Sequence, residues 1–149
     1  MTFMGELEVR KFITLLSLAN LSDGQPGEIL SMSLVRARFC ELILIATKDQ
    51  GKPNSGFLTG MLSLIDTLME QEMRELVNKL PLPADVSGAL CGENNHLKQC
   101  LQLANAFERG QWGKVRAIST RFGLTQKQLH EIYISALSWA AALQNEVHN

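Results

Sequence analysis

The chain has 149 residues, the size of one ordinary domain, so it can bury a sizeable core without disulfides or a structural metal. Hydrophobic residues make up 46% and charged residues 19% of it, which is typical of a globular protein and excludes an intrinsically disordered segment. The 14 basic and 15 acidic residues nearly cancel, so no overall charge attracts nucleic acid or an anionic membrane. Three cysteines without a CxxC pair, no signal-peptide pattern and no long apolar run indicate a cytoplasmic protein without membrane insertion.

The first predicted helix covers residues 6–20 and is followed by the helix-breaking run "SDGQPG". Its apolar residues recur three or four positions apart, and further leucines widen the apolar arc beyond what one neighbouring helix would cover. The stripe and the additional leucines are Val9, Phe12, Ile13 and Leu16, with Leu7, Leu15 and Leu18. We expect this excess of apolar surface to drive self-association, most simply as a homodimer.

The second predicted helix runs from about residue 26 to 49 and is apolar nearly all round, which indicates a central, buried helix. It contains "SLVRARFCELI", in which Arg36 lies in the middle of the most apolar face while Arg38 and Glu41 point elsewhere. An unpaired guanidinium in a core costs several kcal/mol. Arg36 therefore requires an acceptor.

The third predicted helix, about residues 57 to 70, has a small, polar side that carries Gly60, Ser63 and Asp66. Gly60 and Ser63 allow another backbone to approach closely, and Asp66 is the first candidate partner for Arg36. Glu41 is less favoured because it is turned off the face of Arg36. The alternatives are a polar ligand or catalytic site and a structural ion pair that fixes helix register, and we favour the ion pair.

The remainder of the chain also has helical periodicity and no alternating strand pattern, so we predict an all-α fold with a single domain over residues 1–149. A short helix follows Pro83, and another begins near residue 96 and ends at Gly110. Thr125 and Gln128 match a capping box at the start of a last, long helix. The predicted core stripe of the helix that begins near residue 96 is Leu97, Cys100, Leu101, Ala104 and Phe107, and that of the last helix is Leu129, Ile132, Tyr133, Ala136, Leu137, Ala140 and Leu143.

No catalytic, metal or cofactor signature is found among these residues. The chain has only His96, His130 and His148, no adjacent His-Asp pair and no HExxH motif. Cys40 lies on an apolar helix face, where burial makes a thiol inert. We therefore predict that the chain is not an enzyme and binds no metal or cofactor.

A helix-turn-helix is the nucleic-acid alternative. Residues 112–133 place Lys114, Arg116, Arg121 and Lys127 around the turn "RFGLT". The second helix, however, continues as a long apolar stripe rather than exposing a polar base-reading face. A capped helical hairpin is favoured, with no nucleic acid as a partner.

Four segments, "LVRARFCELI", "GFLTGMLSLIDTLM", "LVNKLPLPADVSGALCG" and "AFERGQW" with "ISALSWA", resemble the C-terminal part of the HDOD domain of bacterial signalling proteins. The similarity spans about residues 5 to 142 and is strongest to the branch in which an EAL domain precedes the HDOD domain. It implies a helical HDOD-like bundle without the earlier helices of that domain before Met1.

The resemblance also implies a non-catalytic regulatory or interaction module linked to cyclic di-GMP signalling, with a protein partner such as an EAL domain of the parent chain. The alternative that follows from the same relationship is a metal-dependent phosphohydrolase of the HD type. Structural or interaction roles are expected for the residues singled out above, which are Arg36, Arg38, Glu41, Gly60, Ser63 and Asp66.

Overall fold

The computed structural model describes residues 26–47 and 52–148. The helix predicted over residues 6–20 and the dimer expected from its apolar surface concern residues outside these ranges, as does the predicted end of the second helix near residue 49. The described part is all-helical, as predicted, and has no strand. Its eight helices are α1 (Pro26–Thr47), α2 (Pro53–Leu62), α3 (Ile65–Met69), α4 (Met73–Asn78), α5 (Ala84–Leu90), α6 (His96–Glu108), α7 (Trp112–Phe122) and α8 (Gln126–His148).

Helix α1 lies at the centre of the fold and packs most extensively against α2, then α8 and α6. Its side chains are buried on several sides, which confirms the prediction of a central, buried helix. Met32, one turn before Arg36, is 37% exposed. The hydrophobic residues of α1 that are almost fully buried are Leu30, Leu34, Ala37, Phe39, Cys40, Ile43 and Leu44.

Two glycines of α2 allow its backbone to approach that of α1 closely, as predicted for Gly60. A Cβ atom built on Gly60 would lie 2.5 Å from the carbonyl oxygen of Arg36 and 2.6 Å from the nitrogen of Ala37. One built on Gly56, a turn earlier, would lie 3.0 Å from the carbonyl oxygen of Cys40. The separations at Gly60 are too short for any side chain, so glycine is required there, and the contact at Gly56 is tight.

The predicted helix over residues 57 to 70 is two helices in the structure. Helix α2 begins earlier because Pro53, whose φ suits a first helical turn, starts it. It ends at Leu62, where the Ser63 hydroxyl donates a hydrogen bond to the carbonyl oxygen of Gly60 at 2.7 Å. This local bond competes with the helical ladder, and α3 starts only at Ile65.

Helix α8 begins with the predicted capping box. The Thr125 hydroxyl accepts a hydrogen bond from the Gln128 backbone N–H at 3.1 Å, and the side-chain amide oxygen of Gln128 accepts one from the Thr125 backbone N–H at 2.8 Å. The preceding helix α7 ends at Gly123, whose φ of 69° is in the left-handed region. The predicted turn between the last two helices is therefore confirmed.

An aromatic cluster joins α1, α6 and α8. The ring of Phe107 lies 5.9 Å from Phe39 and 4.7 Å from Tyr133, measured between centroids. Four predicted core positions differ: Leu101, Ile132 and Tyr133 are only partly buried, and Leu137 is 44% exposed. Within the described ranges, no helix is both long and apolar enough to cross a lipid bilayer.

Substituting Gly60 by alanine tests the close approach of α1 and α2. The added methyl group would press on the backbone of α1, so we expect Gly60→Ala to destabilise the protein by about 1–3 kcal/mol or more. Gly113 is the matched control, because a Cβ there meets nothing within 4 Å. Gly113→Ala should be neutral or stabilising by up to about 1 kcal/mol, as expected from helix propensity. Equal effects of the two substitutions on urea unfolding would contradict this packing.

Candidate functional site

Arg36 is the centre of the polar site, and its partner is Glu108 at the end of α6. The guanidinium Nε and Nη2 atoms donate to the two carboxylate oxygens of Glu108 at 3.0 and 2.9 Å. Both side chains are largely buried, with 12% and 16% of their surfaces exposed. The Nη1 atom also donates to the Ser63 hydroxyl at 3.3 Å. This forked, two-bond geometry fixes the guanidinium in one orientation.

The ion pair changes the acid-base properties of its surroundings. The hydrogen bond to Glu108 raises the pKa of Arg36 above its ordinary value, and the opposing effect of burial is smaller. Burial raises the pKa of Tyr133, and the negative charge of Glu108 adds to this increase. Arg36 is therefore a permanent cation in the folded protein.

The predicted pairing of Arg36 with Asp66 is wrong. A carboxylate of Asp66 accepts a hydrogen bond from the backbone of the next residue, Thr67, at 3.0 Å. The reason is the break between α2 and α3, which removes Asp66 from the helical register that would have placed it beside Gly60 and Ser63.

Glu41, the less favoured candidate, belongs to a second ion pair. It is 5% exposed, and its Oε1 atom accepts from Arg38 Nη1 at 2.6 Å. The guanidinium carbon of Arg38 lies 5.7 Å from the ring centroid of Trp139, within range of a cation–π interaction. Both arginines of the central helix are thus paired, each with a different carboxylate.

A cleft of about 250 Å³ opens beside Arg36. Two cationic side chains, three uncharged polar ones and four apolar ones line it, and none of the lining residues is acidic. They are Arg36, Ser63, Met73, Ala89, Leu90, Lys98, Leu101, Gln102 and Asn105.

Glu108, the partner of Arg36 in the ion pair, lines a separate groove of about 210 Å³. This groove lies between α1 and α8 and is mostly apolar, with a second carboxylate from Glu28. Two of its apolar side chains, Met32 and Leu137, are 37% and 44% exposed. Arg36 thus borders a cationic cleft, and its partner Glu108 borders an acidic, apolar groove.

The histidines do not gather into a metal site in the part of the chain that the structure describes. No group of three or more His, Cys, Asp or Glu side chains there is arranged to hold an ion. His130 lies against the rings of Phe107 and Trp112, and its Nδ1 atom is 2.9 Å from the Gln126 carbonyl oxygen. His130 thus packs against an aromatic surface of α6 and α7.

Cys40 and Cys100 form a buried thiol pair between α1 and α6, and neither is exposed. A hydrogen bond with Cys100 and complete burial raise the pKa of the Cys40 thiol well above its usual range. Cys91, at the end of α5, is only partly buried. Cys40 is therefore held as a neutral thiol, the chemical state predicted for it.

The basic residues of the helical hairpin are all exposed on α7 and the first turn of α8. Beyond that turn, α8 buries Leu129, Ala136 and Ala140 against the core. One face of the helix that would have to enter a DNA groove is thus packed against the core.

Sequence reasoning missed Glu108 and three residues of the cleft, Lys98, Gln102 and Asn105. Glu108 carried one usable signal: it is an acidic residue in the last turn of a helix, where the helix dipole disfavours negative charge. An acid in that position, directly after the buried Phe107, indicates a cationic partner. The cleft residues carried no such signal, because polar residues at this spacing are typical of any solvent-exposed helix face.

The fold and the site define an all-α protein organised around a buried arginine–glutamate pair. The chain is 35% identical over 145 residues to the uncharacterised protein YuxH of Bacillus subtilis, and 95% of it is covered. It is 30% identical over 140 residues to the cyclic di-GMP phosphodiesterase CdgJ of Vibrio cholerae, with 94% covered. The chain spans about a third of the length of these relatives, 35% and 32% respectively. No protein-family model and no solved structure matches it.

A double-mutant cycle tests the pairing of Arg36 with Glu108. Removing either partner leaves an unpaired charge in a mostly buried place, so Arg36→Met or Glu108→Gln should each destabilise the protein by about 3 kcal/mol. The double variant should cost less than the sum, by about 1 kcal/mol or more. The free energy of unfolding of the unmodified protein, the two single variants and the double variant is measured by chemical denaturation.

Asp66→Asn is the matched control, since it removes a carboxylate that does not contact Arg36 and keeps an oxygen for the Thr67 backbone. Its effect should be within about 0.5 kcal/mol and should add to that of Arg36→Met. Coupling of Arg36 to Asp66 rather than to Glu108 would contradict the observed ion pair.

Thiol labelling tests the burial of the cysteine pair. With Ellman's reagent the native protein should show one accessible thiol, Cys91, and Cys91→Ser should abolish this phase. Cys40 and Cys100 should react at least about a hundredfold more slowly, because reaction then requires the core to open. All three should react at once in denaturant, and a second rapidly reacting thiol in the native Cys91→Ser variant would show that the pair is accessible.

Proposed function

We propose that this chain is a non-catalytic regulatory module, an HDOD-like domain of a bacterial protein that acts in cyclic di-GMP signalling through protein contacts. The observation that carries the proposal is its similarity to CdgJ, which covers 94% of this chain but only 32% of that phosphodiesterase. The remaining two-thirds of such a relative is long enough to hold a separate catalytic domain, for which an EAL domain is our candidate.

The chemistry of the polar site supports a non-catalytic role. A hydrolase needs a general base or a metal-bound water next to its substrate. The cleft beside Arg36 has neither a carboxylate nor a histidine in its lining. Glu108, the carboxylate bonded to Arg36, does not line this cleft, and both of its oxygens accept hydrogen bonds from the guanidinium.

The exposed apolar side chains support action by protein contact. Met32 and Leu137 line the groove between α1 and α8, and the neighbouring Ile134 is 61% exposed. Exposed apolar surface flanked by charged residues such as Glu28 is typical of interaction sites. A second copy of the chain or a catalytic domain of the same protein are the partners that we propose.

The first test is hydrolysis. The purified chain, incubated with cyclic di-GMP and either Mg²⁺ or Mn²⁺, should give no product above the buffer control when the nucleotides are separated by chromatography. Turnover that depends on the added metal and scales with protein concentration would make the chain an enzyme and overturn the proposal.

The second test asks whether this chain regulates a catalytic domain to which it is joined. In a chimera of CdgJ whose matching third is replaced by this chain, hydrolysis should persist, and Leu137→Arg should change its rate about fivefold or more. Ser135→Arg is the control, because Ser135 is exposed on the same helix but does not line the groove. Equal rates for the two variants would remove the support for regulation through this groove.

A further inference from the structure

We propose that the cleft beside Arg36 binds the phosphate group of a small phosphomonoester, of about the size of a nucleoside monophosphate. This binding site is additional to the regulatory role proposed above and does not depend on it. Four features of the cleft lead to this assignment: its polar helix face, the N–H groups of Arg36 that lack an acceptor among the described residues, its charge and its size.

The polar wall of the cleft is one face of α6. Lys98, Gln102 and Asn105 are spaced four and three residues apart, so they lie above one another on the same side of the helix. The opposite side, with Leu97, Cys100, Leu103, Ala104 and Phe107, is buried in the core. Because the core packing fixes the rotation of α6, an ammonium group and two amides are presented together to the cleft.

Arg36 contributes donors that are already oriented. A guanidinium has five N–H groups. Glu108 accepts from two of them and Ser63 from a third, so one N–H on each of Nη1 and Nη2 has no acceptor among the described residues. The bidentate bond to Glu108 holds the group in place, and an anion that enters the cleft therefore does not have to order a flexible arginine.

The charge of the cleft selects an anion. Its lining carries two cationic side chains, Arg36 and Lys98, and no carboxylate. Glu108 balances the charge of Arg36 from outside the lining, so Lys98 supplies the uncompensated positive charge of the cleft. No ion pair joins Lys98 to a carboxylate in the part of the chain that the structure describes. A phosphate monoester carries nearly two negative charges and three strong acceptor oxygens. It matches this set of donors better than a single carboxylate does.

The size and the apolar part of the cleft determine what the phosphate is attached to. Drug-sized ligands occupy cavities of about 300–1,000 Å³. At about 250 Å³ the cleft is slightly smaller, so a phosphomonoester with a single nucleoside, or an organic group of no more than that size, fits better than a dinucleotide. Met73, Ala89, Leu90 and Leu101 form the apolar lining against which that organic part would pack.

The test is equilibrium binding to the full chain by calorimetry, with AMP and GMP as the probes and adenosine, inorganic phosphate and cyclic di-GMP for comparison. The monophosphates should bind, with an affinity that decreases as salt is raised. Adenosine should bind at least about tenfold more weakly, since it lacks the charge-assisted hydrogen bonds. Inorganic phosphate should also bind more weakly, because it leaves the apolar lining uncovered.

Variants locate the site. Lys98→Met should weaken binding of AMP or GMP about tenfold or more, and Gln102→Ala should weaken it by a smaller factor. Lys114→Met is the matched control: Lys114 is an exposed lysine of α7 that does not line the cleft, and its removal changes the net charge equally. Circular dichroism should show the same helix content for all variants.

The proposal fails if Lys98→Met and Lys114→Met bind the nucleotide equally, or if no monophosphate binds at low salt. Equal affinity for inorganic phosphate and for AMP would reject the assigned size, and tighter binding of cyclic di-GMP would reject the monoester. These outcomes are independent of the regulatory proposal, which is judged by hydrolysis and by the CdgJ chimera.

Discussion

The burial of a guanidinium in the central helix is the constraint on which the rest of this structure depends. Helix α1 is apolar on nearly every side, and Arg36 lies in its middle. Taking such a charge out of water is favourable only when a well-placed anion and further hydrogen bonds compensate. Glu108, 72 residues further along the chain, supplies the anion, and Ser63 supplies a hydrogen bond. The pair thereby couples the packing of α6 and α2 to that of α1.

The close contact of α1 with α2 brings Ser63 near enough to supply the additional hydrogen bond to Arg36. Gly60 allows the two backbones to touch opposite Arg36, and three residues later the chain leaves the helix at Ser63. The Ser63 hydroxyl donates to the Gly60 carbonyl, which ends the helix, and accepts from Arg36. One small side chain therefore terminates α2 and completes the polar site.

The ion pair also separates two surfaces of different chemistry. Arg36 borders a cleft with cationic and amide side chains, whereas Glu108 borders a groove that is apolar with a carboxylate at its edge. Because both oxygens of Glu108 are bonded to the guanidinium, the pair holds α1 and α6 in a fixed relation to each other. The centre of the described fold is thus suited to holding surfaces in position. This is the property on which a module acting by contact would rely.

The all-α class, the buried central helix, the requirement for a partner of Arg36, the glycine contact at Gly60 and the capping box of α8 could all be predicted from the sequence. Each depends on local periodicity or on the chemistry of residues a few positions apart. The break at Ser63, the partner Glu108 and the cleft residues of α6 could not. A serine that ends one helix is compatible with the interior of another, and the partner of a buried charge is determined by which helices become neighbours. Local patterns state that Arg36 must be paired, but only the tertiary packing of α1 against α6 decides which carboxylate is within reach.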